Sequence, residues 1–124
     1  MKLTNGEIFS ASQALGELNE KEFPIRVNYG LLSIIKKLSG QFEIIDKLRV
    51  DLIKKYGTAD EVGNITIEPN TESWTKFITD LNILFNEDVE IDYEVVKLPF
   101  EVDGKSYNIS MKTLRILEKF IEMV

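Results

Sequence analysis

Between Glu87 and Val96 the chain reads EDVEIDYEVV, and acidic residues fall at alternate positions: Asp88, Glu90, Asp92 and Glu94. In an extended chain such side chains share one face and repeat about every 6.6–6.8 Å. A carboxylate pair could act as general acid and general base, as in glycoside hydrolysis. Several could gather a calcium ion. A row could also imitate the phosphates of a nucleic-acid strand, because a basic channel that attracts phosphates attracts carboxylates for the same reason. The plainest reading is a solvent face on a half-buried strand whose other side is Val89, Ile91, Tyr93 and Val95. Charge there discourages edge-to-edge aggregation.

Composition narrows these choices. With 21 acidic residues in 124, neighbouring carboxylates arise by chance, so a pair alone says little about catalysis. Along a flat strand such residues diverge and do not wrap around one ion, and no EF-hand loop is present. The chain has no histidine and no cysteine. It therefore lacks the commonest general base, the usual zinc ligands, a thiol nucleophile and any disulfide. No phosphate-cradling glycine loop or nucleophile elbow is found. These features lead us to expect a non-enzymatic protein with no cofactor and no metal. The net charge of −6 opposes attraction to nucleic acid or anionic lipid, so neither direct nucleic-acid binding nor membrane binding is expected. Exposed like charges in a line repel by only roughly a few tenths of a kcal/mol, so a fold tolerates the row as ordinary solvated surface. That reading is preferred to mimicry.

These carboxylates need a scaffold. A length of 124 residues suits one compact domain over 1–124, and no repeat, low-complexity tract or Pro/Gly-rich linker divides it. No apolar run approaches the ~18 residues of a membrane span. The opening MKLTNGEIFS has no apolar core of a secretory signal, and absence of cysteine fits a cytoplasmic setting.

The pattern predicts a short edge strand at MKLT, a turn at Asn5-Gly6, and a helix capped by Ser10 with Gln13 and ending before Phe23-Pro24. From about 26 to 56, Leu31, Ile35, Leu38, Phe42, Ile45, Arg49, Leu52 and Tyr56 repeat at spacings of 4 and 3, closed by Gly57. This predicts one long amphipathic helix, with Gly30 and Gly40 as points of bending or close approach. After a polar loop over 58–64, NITIEP offers a brief strand. Asn70 or Thr71 then caps a helix with an apolar face of Trp74, Phe77, Ile78, Leu81, Leu84 and Phe85. A strand from Asp88 to about Leu98, a hairpin turning at Asp103-Gly104 and a last helix from Ser110 to Val124 complete the reading. The fold class expected is α+β: a small, mostly antiparallel sheet packed against about four helices, one of them long (about 26–56).

Arg49 stands where the long stripe calls for an apolar side chain. Its methylene stem can lie on the core while the guanidinium reaches solvent or an acidic partner. The sharper reading is a buried or interfacial arginine that fixes helix register or recognises a partner's carboxylate. The stripe itself is mostly internal core, and its stretch from Gln41 to Tyr56 could also form a homodimer.

The blocks MKLTNGEIF, FPIRVNYGLLSIIKKL, LRVDLIKKYG, VEIDYEVVKLP and LRILEKFIE, in this order, resemble a family of small proteins of unknown function encoded by tailed bacteriophages and prophages, many of low-GC Gram-positive hosts. PFEVDGKSYNIS is longer than the connection usual in that family, and nothing is transferred to it. The resemblance implies phage origin and action in the bacterial host cytoplasm or in a virion, with no activity and no catalytic residue. The expectation is an accessory protein that binds a host or phage protein, with Asp88, Glu90, Asp92, Glu94 and Arg49 as candidate partner-binding residues. The alternatives are an acidic nucleic-acid-mimic inhibitor of a host nuclease or defence protein, and a structural or assembly component of the particle.

Overall fold

The computed structural model describes residues 2–99, 101–102, 105–106 and 109–124. Strand β1 (Lys2–Thr4) runs directly into helix α1 (Asn5–Asn19). Asn5-Gly6 is therefore the first turn of a helix and not a reversal. The reason is a capping box six residues earlier than expected: Thr4 Oγ1 accepts from the Glu7 N–H at 3.1 Å, and Glu7 Oε1 accepts from the Thr4 N–H at 3.0 Å. Ser10 and Gln13 lie inside the helix. The chain turns through Phe23-Pro24 into the 32-residue helix α2 (Ile25–Tyr56). Its last turn carries Lys54 and Lys55 beside the orphan carbonyls, as the macrodipole favours.

Gly57 ends α2 in extended geometry, with φ −89° and ψ 167°. No left-handed cap occurs there; a Cβ would lie 2.5 Å from both the Ile53 carbonyl oxygen and Ile65 Cγ2, so crowding explains the glycine. The expected polar loop is a small hairpin. Strands β2 (Thr58–Ala59) and β3 (Ile65–Thr66) pair antiparallel around Asp60, whose Oδ1 accepts from the Val62 and Asn64 N–H groups. Helix α3 (Glu72–Phe85) is capped by Thr71 Oγ1 on the Trp74 N–H.

The remaining elements are strands β4 (Asp88–Glu90), β5 (Val96–Leu98), β6 (Glu101–Val102) and β7 (Lys105–Ser106), helix α4 (Met111–Ile116) and strand β8 (Ile121–Met123). The class is α+β, with strands arranged as separate two-stranded ladders. β1–β4, β2–β3 and β6–β7 are antiparallel, while β5–β8 is parallel. The proposed Asp103-Gly104 turn lies outside the described residues; β6 and β7 on either side of it pair with each other.

The last helix is shorter than its periodicity suggests. It stops at Ile116, and the chain turns through Leu117, whose carbonyl accepts from the Phe120 N–H at 2.8 Å. The burial of β5 at Val96 and Leu98 explains the change, because buried N–H and C=O groups must find partners. The Val96 N–H donates to the Phe120 carbonyl at 3.0 Å and the Val124 N–H to the Leu98 carbonyl at 2.9 Å. Leu117, Phe120 and Ile121 are buried in this arrangement, while Val124 is exposed.

One apolar core joins these pieces. α1 packs against α2, α3 packs against both, and β5 closes against α2. Leu3, Ile8, Leu15 and Leu18 meet Leu31, Leu38 and Ile45 of α2, with Leu98, Leu117 and Phe120 at the end of the core nearest β5. Asn5 is the one buried polar residue among the described ones. Its backbone N–H donates to the Glu87 carbonyl and its side-chain amide to the Leu84 carbonyl, both at 2.9 Å, which fixes the end of α3 and the start of β4.

Candidate partner-binding surface

β4 carries the first half of the acidic run. Its register with β1 is Lys2↔Glu90, Leu3↔Val89 and Thr4↔Asp88. Directly opposed residues share a face, so Asp88 and Glu90 stand outward with Lys2 and Thr4, while Val89 covers buried Leu3. Lys2 Nζ is 3.6 Å from Asp88 Oδ2, a solvent-exposed pair that offsets part of the row's charge.

The run does not continue as one strand. Regular pairing ends at Glu90 and resumes at Val96, and residues 91–95 form an irregular bend. The inward alternation also slips by one: Ile91 and Tyr93 are half-buried, Val95 is 44% exposed, and Val96 is buried. Two contacts impose the slip. Tyr93 stacks on Phe120 with centroids 5.0 Å apart and donates its hydroxyl to the Lys119 carbonyl at 3.0 Å. Val96 must turn in to meet Gly30 of α2. Asp88, Glu90, Asp92 and Glu94 are all exposed, the first two on the ladder and the other two on the bend. Val89, Ile91 and Tyr93 anchor them to the core.

Beside the bend, the N-terminal half of α2 and residues 93–97 enclose an open groove of about 540 Å³. Glu94 lines it together with Arg26, Lys37 and Lys97, and Tyr29 and Val95 supply apolar surface. Gly30 also lines it, and a Cβ there would fall 2.9 Å from Val96 Cγ2. Sequence reasoning passed over these cations. The signal was a second helical stripe, since 26, 30, 33 and 37 repeat the 4-3-4 spacing of the buried seam on another side of α2.

A further cluster was also missed because its members are distant in sequence. Lys119 Nζ lies 2.6 Å from Glu7 Oε2. Burial would push the Glu7 carboxyl up, but the bonds from Lys119 and from the Thr4 N–H prevail and hold it below the usual glutamate range. The same Glu7 contact raises Lys119. Tyr93 is raised, chiefly by burial.

Arg49 is apart from the acidic run in its contacts. Its Nη2 donates to Asp46 Oδ1 at 2.9 Å, and its guanidinium lies over the Phe9 ring at 5.5 Å. Most of the long-helix stripe faces the molecule's own core: Leu31, Leu38 and Ile45 are buried, Phe42 stacks on Phe9, and the Tyr56 hydroxyl donates to Asp80. Ile44 and Leu48, apolar residues of α2 outside that stripe, are exposed.

Among the described residues no group of three or more acidic side chains is placed to hold one metal ion. Within the same residues, no helix is long and apolar enough to cross a membrane. Comparison of the chain with protein-family models, with curated proteins and with solved structures gives no match.

Proposed function

We propose that this chain is a phage or prophage accessory protein that works without catalysis, in the bacterial host cytoplasm, by binding a host or phage protein. The exposed carboxylates Asp88, Glu90, Asp92 and Glu94 form its recognition surface. The observation that carries this reading is their support: each outward acid alternates with a residue, Val89, Ile91 or Tyr93, packed against the core. A charged surface whose backbone is anchored to the core favours a basic partner by electrostatic complementarity. Direct recognition of a protein is preferred to nucleic-acid mimicry. The ladder and bend break the even pitch a phosphate row would need, and Lys2 offsets Asp88. Arg49, engaged by Asp46 and Phe9, is not assigned to the surface.

The test is affinity capture from an infected Gram-positive host with the wild-type chain, beside the variant Asp88→Asn, Glu90→Gln, Asp92→Asn, Glu94→Gln. A protein retained by the first and lost by the second supports the assignment. Equal retention by both would show that the acids are only solvated surface. Recovery of the chain in purified particles at fixed stoichiometry would favour a structural role instead.

A further inference from the structure

The groove beside the bend has features the acidic run does not use. In the parallel ladder, the Val96 N–H bonds to the Phe120 carbonyl and the Leu98 carbonyl accepts from the Val124 N–H. Backbone groups of alternate residues point to opposite edges of a strand, so 96 and 98 face β8. The N–H and C=O of Lys97 then face the other edge, where β5 has no strand neighbour among the described residues. Val96 and Lys97 of β5 border the groove, and residues 93–95 of the bend continue the same wall. Its opposite wall is the α2 stripe that includes Arg26, Tyr29 and Lys37.

Charge selects the occupant. The chain as a whole has net charge −6, yet this groove sets Arg26, Lys37 and Lys97 against Glu94. None of the three cations forms an ion pair among the described residues, and all are exposed. An open strand edge offers main-chain hydrogen bonds to an extended peptide, and flanking cations choose acidic side chains over basic ones.

We infer that this groove binds an extended acidic peptide segment of a partner protein, which adds as a strand to the outer edge of β5. Lys97 supplies the main-chain donor and acceptor, and Arg26 and Lys37 meet the peptide's carboxylates from α2. Tyr29 and Val95 cover its alternate apolar side chains. This site adjoins the acidic recognition surface at Glu94, but the groups that would hold the peptide, the Lys97 backbone and the cations Arg26 and Lys37, are not part of that surface.

The probe is a short fluorescent peptide alternating glutamate with valine, titrated into the full-length chain at low and high salt. Saturable binding, weakened by salt and accompanied by slowed exchange of the Lys97 amide proton, is the expected result. The double variant Lys37→Glu, Lys97→Glu should weaken binding about tenfold, as loss of a few exposed charge pairs implies. The same peptide N-methylated at alternate amides keeps its charge but cannot form the ladder, and should not bind. Equal binding of the methylated peptide or of a lysine–valine peptide would overturn the proposal. So would an unprotected Lys97 amide, or a groove closed by a second copy of the chain. Because both peptides are read on the wild-type protein, the test stands even if the double variant folds poorly. Capture through the acidic surface is unaffected by either result, so the two readings fail independently.

Discussion

The Gln41 side-chain amide donates to Asn5 Oδ1 at 3.0 Å, joining residues 36 positions apart. Asn5 in turn holds the Leu84 carbonyl, so this single buried amide ties α1 and α2 to the last turn of α3. A buried polar group stabilises only when its partners are present; losing one leaves the others unsatisfied. Asn5→Ala should therefore cost about 1–3 kcal/mol in urea unfolding. Gln41→Ala should cost less, because a half-exposed site leaves room for water at Asn5. The double variant should fall short of the sum, and strict additivity would show that the two amides are not coupled.

The glycines of α2 should respond with opposite signs to the same substitution. At Gly40 a Cβ meets nothing within 4 Å, so Gly40→Ala should stabilise by about 1 kcal/mol through helix propensity. At Gly30 it would press on Val96 Cγ2 at 2.9 Å. Overpacking costs about 1–3 kcal/mol and outweighs the propensity gain, so Gly30→Ala should lower the thermal midpoint. Adding Val96→Ala should relieve the clash and bring the opposing effects closer to balance.

Glu7 gives a dependence on pH whose sign is fixed by its contacts. Its folded pKa lies below the unfolded one, so between the two the unfolded chain binds more protons and stability rises with pH. The contribution is whole above the ordinary glutamate range and is lost as pH falls through the folded value. Urea midpoints between about pH 5 and pH 3 should fall more steeply for the wild type than for Glu7→Gln. Lys119, raised by the same contact, contributes below the ordinary lysine range and loses its effect as pH rises through its folded value. At neutral pH both contributions are intact. Parallel acid profiles for wild type and variant would contradict this assignment.

Arg49 should behave as a structural residue. Arg49→Met keeps much of the stem against Phe9 and removes the ion pair with Asp46, so a loss of about 1 kcal/mol or less is expected. Partner capture should be unchanged. Loss of capture with a normal urea midpoint would return Arg49 to the recognition surface.

The long helix was legible because its 4-3 spacing persists through eight positions, and local periodicity of that length leaves little choice. α3 was legible for the same reason, together with Thr71. The first helix was read late because Ser10 and Gln13 imitate the Thr4–Glu7 box, while Asn5-Gly6 reads as a turn in isolation. The Thr4–Glu7 box starts a helix at that pair, and the buried contacts of Asn5 with Leu84 and Gln41 hold it in place. β8 was hidden because Leu117, Phe120 and Ile121 suit a helix equally well; the need of β5 for backbone partners decides, and that need is tertiary. The end of the acidic strand had one local sign, the adjacent apolar pair Val95-Val96, which no alternating pattern can place on one face. The basic groove lay beyond the sequence because Lys97 joins Arg26 and Lys37 only when β5 docks on α2.

The most direct measurement of the recognition surface is the dissociation constant of the captured partner, across a salt series, for the wild type and for Asp88→Asn, Glu90→Gln, Asp92→Asn, Glu94→Gln. Exposed charges at an interface act through complementarity that salt screens. The wild type should bind markedly more tightly at low salt, with a steep salt dependence that flattens in the neutralised chain. Superimposable affinities and slopes would contradict the assignment of these four carboxylates to partner recognition.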